Sequence, residues 1–422
     1  MLFVDIYLVD LIQTCIYMMK IQTLSFSNYK AFLTEQTVVI KPITLLIGKN
    51  SSGKSSIAKL FTLLENSLSG IYEEPLMLSN NDVSLGGEFR DLVYNRQPSV
   101  PVNFSLGFDD AHYLNVSVLS TTAEYELKIL KWEYISPKFT LKLSYSPSTG
   151  YTDSKGIRYT CSFKGFVPQE LKTDDGTDLL HHISADLRLD VDYIGPFRIL
   201  PDRQFHLIGK MVYDKLGVKG EYAYPILGVS EYMNDDLHHK VGAWYKEHFN
   251  GWELKINSKN RPYLEVFLSK DDAEINIVDV GQGMNQALPL VVRANISNPN
   301  SIIVLEQPEL HLHPAAHADL AELFARSAKN YQQSFIIETH AENFILRIRK
   351  LIIDNDFGLT EDDVVIYWVD DAENEGQELL EITIDKEGGL SNWPEGVFNE
   401  NLDEILEIKN ALKRKRSQSN DI

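Results

Sequence analysis

The spacing of apolar and polar positions near the start of the chain predicts two strands followed by a helix. Residues 20–32 (KIQTLSFSNYKAF) alternate as a half-buried strand does, whereas residues 37–48 (TVVIKPITLLIG) are more continuously apolar, as in a buried strand. Apolar residues then recur on one helical face from Ile57 to Leu64. This succession of strand, loop and helix is typical of α/β proteins.

The middle of the chain has a different pattern. Residues 100–166 show repeated two-residue alternation between turn residues, which predicts an antiparallel β-lobe. Residues 167–265 are less regular and more helical. No heptad repeat is sustained along the middle of the chain, so a long coiled coil is not expected. Beyond residue 300, short apolar runs and helical segments alternate again, as they do near the start of the chain. This pattern predicts buried strands connected by helices.

The second predicted strand runs directly into residues 48–55 (GKNSSGKS), which fit the pattern G-x-x-x-x-G-K-[ST] between a strand and a helix. Glycines let such a loop wrap a diphosphate, so that backbone N–H groups and the helix N-terminus face its negative charge. Lys54 is expected to reach the β- and γ-phosphates, and the Ser55 hydroxyl to bind Mg²⁺. The residues predicted to hold a nucleoside triphosphate are Gly48, Asn50, Ser51, Ser52, Gly53, Lys54, Ser55 and Ser56.

Two later apolar strands end in residues that suit the same chemistry. Residues 302–305 (IIVL) are followed by Glu306, an arrangement in which the carboxylate holds Mg²⁺ through water. The next strand ends in Thr339 and His340. Before both, a glycine-rich turn at 281–283 opens a helix whose free N–H groups suit an anion. Some of these signals are weak alone. Together, and in this order along the chain, they strongly indicate a nucleoside triphosphate site.

In this order the motifs resemble those of ABC-type ATPase heads in the RecF, SMC and overcoming-lysogenization-defect group. Within it, the chain is most similar to bacterial AAA ATPases that end in a short domain of unknown function. The similar stretches extend over residues 26–400 and include NYKAF, GKNSSGKSS, DVGQGMNQALPL, EQPELHLHP and ETHAENFILRIRKLI. The resemblance implies an α/β P-loop NTPase fold of the ABC-head type, with the β-lobe and a mixed helical insertion before the glycine-rich turn. Several relatives, including the ATPase of Septu-like systems, serve prokaryotic defence against phage.

The hydrophobic pattern and the family resemblance together predict how the chain is divided into domains. The predicted parts are a leader at 1–18, a split ATPase head at 19–99 and 266–400, the β-lobe at 100–166, the insertion at 167–265, and a C-terminal helix with a basic tail at 401–422. In such heads two protomers enclose two ATP molecules, each between one subunit's phosphate-binding loop and the other's signature. By position the signature residues would be Gly281, Gly283, Asn285 and Gln286, although serine is usual at the place of Asn285.

A second departure from the family pattern concerns catalysis. ABC heads usually read Asp-Glu-Pro where this chain has Glu306, Gln307 and Pro308, so glutamine occupies the place of the general base. Glutamine can orient a water molecule, but it cannot accept a proton as a carboxylate does. Glu309 is the nearest other carboxylate, and His340 would be the switch histidine. We expect slow hydrolysis, in which ATP mostly holds a conformation.

The charge balance narrows the range of partners. With 40 Lys and Arg against 60 Asp and Glu, the 422-residue chain has a net charge of −20. This excludes a uniformly basic nucleic-acid wrapper and disfavours a polybasic membrane binder. The apolar leader is interrupted by Asp5 and Asp10, so no membrane span is expected, and two cysteines suit a reducing cytoplasm. Arg198 and Arg203 could contact a phosphate or a nucleic-acid backbone, or they could pair with some of the excess acids, and we favour the ion pairs.

Three functions are compatible with these motifs. We favour a cytoplasmic, homo-oligomeric ATPase that binds ATP and Mg²⁺ and regulates an effector, such as a partner HNH nuclease, in anti-phage defence. The alternative is a RecF-like ATPase that binds DNA in repair or recombination. A P-loop kinase is disfavoured because it needs neither the signature nor His340. The residues after His340 do not show the acidic pattern of a Toprim nuclease, so any cutting is expected from a partner.

Overall fold

The computed structural model describes residues 18–121, 126–207, 213–258, 262–372 and 376–394. The predicted leader, apart from Met18, and the predicted C-terminal helix and tail at 401–422 lie outside these residues. Within them the chain has an α/β fold, which confirms the predicted fold class. No helix in this part of the chain is long and apolar enough to cross a membrane.

Helices and strands alternate at both ends of the described chain, and strands dominate between them. The α-helices are α1 (Lys54–Leu68), α2 (Ala223–Met233), α3 (Leu237–His248), α4 (Gln282–Ala294), α5 (Pro314–Tyr331) and α6 (Glu342–Asp354). The strands up to the end of the β-lobe are β1 (Ile21–Ser27), β2 (Gln36–Val39), β3 (Ile43–Gly48), β4 (Ser79–Asn80), β5 (Val83–Ser84), β6 (Val102–Phe108), β7 (His112–Ser120), β8 (Leu127–Ile135), β9 (Thr140–Ser146), β10 (Gly150–Thr152), β11 (Arg158–Lys164) and β12 (Val167–Thr173). The later strands are β13 (Val191–Ile194), β14 (Phe205–His206), β15 (Glu253–Asn257), β16 (Tyr263–Lys270), β17 (Ala273–Asn276), β18 (Ile302–Glu306), β19 (Ser334–Glu338), β20 (Val364–Ala372) and β21 (Gly376–Ile382).

A mostly parallel sheet with the strand order β13-β18-β19-β3-β20-β21 carries the predicted site motifs at the ends of β3, β18 and β19. Strand β21 pairs antiparallel with β20, and the other neighbours are parallel. Strands β3, β18 and β19 are buried along their whole length, which explains their continuous apolar sequences. Ile302 and Val304 face one hydrophobic core, and Ile303 and Leu305 face the other. The sheet therefore separates two cores.

The first core lies between the parallel sheet, α1 and a nine-stranded antiparallel sheet with the order β12-β11-β10-β9-β8-β7-β6-β1-β2. The strands predicted for the β-lobe lie in this second sheet. It also includes β1 and β2, through the pairing of β1 with β6, and it continues to Thr173. The β-lobe is therefore continuous with strands from the region assigned to the ATPase head.

The second core lies on the opposite face of the parallel sheet and is formed largely by α2 to α6. Strand β13 belongs to the predicted insertion at 167–265, yet it forms an edge of the parallel sheet beside β18. Its Asp192 is buried and pairs with Arg293 of α4, with 2.7 Å between Oδ2 and Nε. Because the strand has four residues and contains an acid, it shows no apolar periodicity, and the sequence pattern did not indicate it.

Candidate functional site

Two glycines shape the loop between β3 and α1. Gly48 has a φ of +147°, and a Cβ atom there would lie 2.7 Å from the carbonyl oxygen of Val369. Gly53, the N-cap of α1, has a φ of +104°, and a Cβ atom there would lie 3.1 Å from the ring of Phe32. Both positions therefore favour glycine strongly. The resulting loop leads its backbone into the N-terminus of a 15-residue helix, an arrangement that suits a phosphate group.

Lys54 begins α1 and is only 3% exposed. Its Nζ atom donates to the carbonyl oxygens of Gly48, at 3.0 Å, and of Lys49, at 2.6 Å, which holds the amine over the loop. Burial lowers the pKa of Lys54, and the negative charge of Glu338 opposes this shift. The loop thus presents a positioned cation beside its glycines.

The other polar residues of the loop differ in burial. Asn50 and Ser51 are exposed, and Ser56 is half-buried. Ser52 is buried, and its Oγ atom has no hydrogen-bond partner within the described part of the chain. Because a buried hydroxyl without a partner is unfavourable, Ser52 is suited to contact an oxygen atom supplied by a ligand.

Glu306 and Glu338 end the neighbouring parallel strands β18 and β19 and are partners in the register of the sheet. Their carboxylates therefore lie at the same edge. Glu306 is buried and accepts a hydrogen bond from Tyr193, while its Oε1 atom has no partner among the described residues. Burial raises the pKa of Glu306 to about 7, and the positive charge of Lys59 opposes the shift. One carboxylate oxygen is thus free to bind a cation.

Glu338 is a site residue that the sequence analysis missed. The Ser55 hydroxyl donates to its Oε2 atom at a distance of 2.7 Å. Burial raises the pKa of Glu338, and the hydrogen bond from Ser55 and the charges of Lys54 and Lys59 oppose that rise. A sequence signal for this residue exists, because FIIE ends an apolar strand in glutamate just as IVLE does.

The predicted catalytic residues lie on two adjacent turns at this edge. Gln307 has a φ of +44°, and its backbone N–H donates to the carbonyl oxygen of Glu338 at 2.8 Å. Glu309 accepts from the backbone N–H of His340 at 2.7 Å, while its Oε2 atom has no partner among the described residues. The His340 side chain is exposed, and partial desolvation and the charge of Lys54 lower its pKa. The structure therefore brings Gln307, Glu309 and His340 together.

The predicted signature residues lie at the start of α4. Gly281 is the exposed N-cap, and a Cβ atom at Gly283 would lie 3.2 Å from the carbonyl oxygen of His311 in the turn after β18. Asn285 and Gln286 are buried, and Gln286 Nε2 donates to the carbonyl oxygen of Arg198 at 3.2 Å. The two glycines are thus more accessible than the two amides, which pack inside their own chain.

The ion pairs expected for the two arginines hold for one of them. Arg203 is paired with Asp279 through two contacts of 2.9 and 2.6 Å, as predicted. The expectation was wrong for Arg198, which is 5% exposed and donates to the carbonyl oxygens of Gln286 (3.1 Å), Pro308 (3.3 Å) and Gln307 (2.8 Å). The physical reason is that buried carbonyl groups need donors, and the guanidinium supplies several at once.

Comparison with protein families places most of the chain in an ATPase family. The model of the AAA ATPase domain family matches residues 19–192 and 229–345, which is more than half of the chain. A family of proteins of unknown function, DUF3696, matches residues 359–408. No curated protein matches the chain.

Comparison with solved structures finds the SMC head domain from Thermotoga maritima, at 12% sequence identity and a TM-score of 0.40, with 86% of this chain and 98% of that chain covered. A structure of the SmcHead bound to the C-winged helix domain of ScpA is also 12% identical, with a TM-score of 0.44 and the same coverage of 86% and 98%.

Proposed function

Because the chain belongs to the AAA ATPase domain family, we propose that it is an ATP-dependent switch that turns over slowly and controls a separate effector in prokaryotic defence against phage. The observation that supports this proposal is a glycine-rich loop with Lys54 held over it, beside a turn in which Gln307 occupies the place that a general base has in ABC heads. Such a site favours holding ATP over consuming it.

The residues of the phosphate-binding loop fit a nucleoside triphosphate. Lys54 would exchange its two loop carbonyls for β- and γ-phosphate oxygens, and the unpartnered Ser52 hydroxyl would gain an acceptor. Mg²⁺, when bound, would screen the charge that develops on the phosphates. The residues that would hold it are the Ser55 hydroxyl and Glu306, whose Oε1 atom has no partner among the described residues.

Slow hydrolysis would follow from the chemistry of the groups on the two turns beside the loop. Gln307 offers an amide, which orients a water molecule without accepting its proton. Glu309 is a carboxylate, but one of its oxygens already accepts from the backbone of His340, which ties it to the turn. The proposed roles are therefore orientation by Gln307, weak base assistance by Glu309, and contact of His340 with the γ-phosphate.

We further propose that ATP joins two copies of the chain, each adding its signature to the other's nucleotide. Gly281 and Gly283 lie at the accessible start of α4, where backbone N–H groups suit a γ-phosphate. Gln286 would not contact the nucleotide itself. It would hold the start of α4 in place through its hydrogen bond to the carbonyl oxygen of Arg198. Asn285, also buried, would shape the same turn.

The proposed effector is a second cytoplasmic protein, such as an HNH nuclease. The support for it is the resemblance to anti-phage ATPases and the net charge of −20, which favours a protein partner over general binding of nucleic acid. The test is purification of the full chain together with the products of its neighbouring genes, with and without ATP. We expect a nuclease to co-elute in an ATP-dependent way. Tight, salt-sensitive DNA binding by the chain alone, with no protein partner, would instead favour the RecF-like alternative.

A further inference from the structure

The strand order places Glu338 closer to the phosphate-binding loop than Glu306 is. Strand β19 lies between β3, which enters the loop, and β18, which ends in Glu306. Glu338 is the last residue of β19, and it pairs in register with Leu46 of β3 on one side and with Glu306 on the other. Two carboxylates therefore lie side by side at the edge of the sheet, and the inner one is Glu338.

The contacts agree with this order. The hydroxyl of Ser55, the loop residue expected to bind Mg²⁺, donates to Glu338 at 2.7 Å. The contact that Glu306 makes is instead with the hydroxyl of Tyr193, on the far strand β13. Glu338 is only 5% exposed, so its charge acts within the site more strongly than in bulk water.

The surrounding charges suit a carboxylate that binds a cation. Lys54 and Lys59 both interact favourably with the charged form of Glu338, and Glu309 opposes it. Lys59 also interacts with Glu306. Three acids and two lysines thus share this edge, and a triphosphate would add several negative charges that a bound cation would balance.

We propose that Glu338 is a second Mg²⁺-binding carboxylate, which shares the ion with Ser55 and Glu306 when nucleotide is bound. This inference rests on the proposed nucleotide site. Mg²⁺ prefers one or two carboxylates together with phosphate oxygens and water. Ser55, Glu306 and Glu338 would supply the protein ligands, and the nucleotide and water would supply the others. Without the ion, Glu338 holds the Ser55 hydroxyl in place for it.

The test measures binding of a fluorescent ATP analogue to the full chain, in excess EDTA and in MgCl₂. The variant Glu338→Gln keeps an oxygen that accepts from Ser55 but loses the charge. We expect its affinity in EDTA to be no lower than that of wild type, because the loop is intact and one negative charge beside the triphosphate is removed. We expect the gain in affinity from Mg²⁺ to fall about 10- to 100-fold. Binding of Mn²⁺ in the presence of ATP, followed by electron paramagnetic resonance, should weaken in parallel.

Glu274→Gln is the matched control, because it makes the same change at an exposed position of β17 and should keep the full Mg²⁺ effect. An unchanged Mg²⁺ effect in Glu338→Gln would overturn this inference alone. A wild-type chain that binds no nucleotide in either condition would overturn the proposed function as well. Should Glu338→Gln not fold, Glu338→Asp serves as the test variant. It keeps the negative charge but withdraws the carboxylate from the proposed Mg²⁺ position by the length of one methylene group. A reduced Mg²⁺ effect supports the inference, and an unchanged one contradicts it.

Discussion

Gln307 occupies a position where both side chain and backbone are unusual. Its φ of +44° is uncommon for a residue with a Cβ atom, and it is held by bonds at both ends of the peptide, from Gln307 N–H to Glu338 and from Arg198 to the Gln307 carbonyl. Strain of this kind persists where surrounding contacts determine the backbone. The backbone of Gln307 is therefore fixed by its neighbours, and in the proposed mechanism its amide would orient the attacking water.

Gln307→Glu should raise the turnover number for ATP hydrolysis by roughly 100-fold, because a positioned carboxylate contributes at least that much as a general base. The release of phosphate at saturating ATP measures it, and the affinity for ATP should change little. Glu309→Gln is the companion variant and should lower the residual wild-type rate. Rapid wild-type hydrolysis that Glu309→Gln leaves unchanged would contradict the idea of a compromised base.

The site could be predicted from the sequence to the extent that its residues lie in local motifs. The loop residues from Gly48 to Ser56 and the strand-end residues Glu306 and His340 stand beside regular apolar runs, and the structure places them at one edge of the parallel sheet. Glu338 was missed because its role depends on which strand lies between β3 and β18. Nothing local in the sequence specifies that order.

At the scale of elements, Arg198 connects three segments that surround the site. Its guanidinium bonds the backbone of Gln286 in α4 and the backbone of Gln307 and Pro308 in the turn after β18, from a loop that follows β13. Burial lowers its pKa to about 10, so it stays charged at neutral pH. A displacement of α4 relative to this turn would have to break these bonds, so Arg198 couples α4 to the turn after β18.

Arg198→Ala should lower the free energy of unfolding by about 3 kcal/mol, because it leaves several buried carbonyl groups without a donor. Urea denaturation of the full chain measures the loss. Arg203→Ala removes an exposed ion pair with Asp279 and should cost less than about 1 kcal/mol. Equal losses in the two variants would show that the carbonyl contacts of Arg198 are not what holds these segments together.

At the scale of the whole molecule, the parallel sheet separates two cores, and the candidate site lies at the carboxyl ends of its strands. The loop between β3 and α1 and the start of α4 are connected through two strand ends: Ser55 donates to Glu338, and Gln307 in the turn after β18 donates to the Glu338 carbonyl. That same turn approaches Gly283 of α4 at His311. An ATP-dependent dimer needs both surfaces, one from each copy. Dimerisation is therefore the readout that tests the proposed arrangement of the complete chain.

Gly281→Glu should weaken ATP-dependent dimerisation by roughly 100-fold while each copy still binds ATP, because a negative charge would face the γ-phosphate across the interface. Apart from the chain neighbours, no heavy atom of the described residues lies within 4 Å of a Cβ atom built at Gly281, so the substitution should leave the local fold intact. Light scattering with size-exclusion chromatography measures the dimer. Lys54→Ala is the comparison, since it should lose both ATP binding and the dimer. Normal assembly of Gly281→Glu with ATP would refute the shared nucleotide site.

The sequence by itself determined the glycine-rich loop between a strand and a helix, the α/β class and the alternating strands of the β-lobe, because each depends on residues that are neighbours along the chain. Only the tertiary structure decided that β13 closes the parallel sheet, that Arg198 binds carbonyl groups in place of acids, and that Glu338 reaches Ser55. Ser55 and Glu338 are separated by 283 positions. Contacts over such a distance leave no periodic trace in the sequence, because they arise from the order in which strands pack.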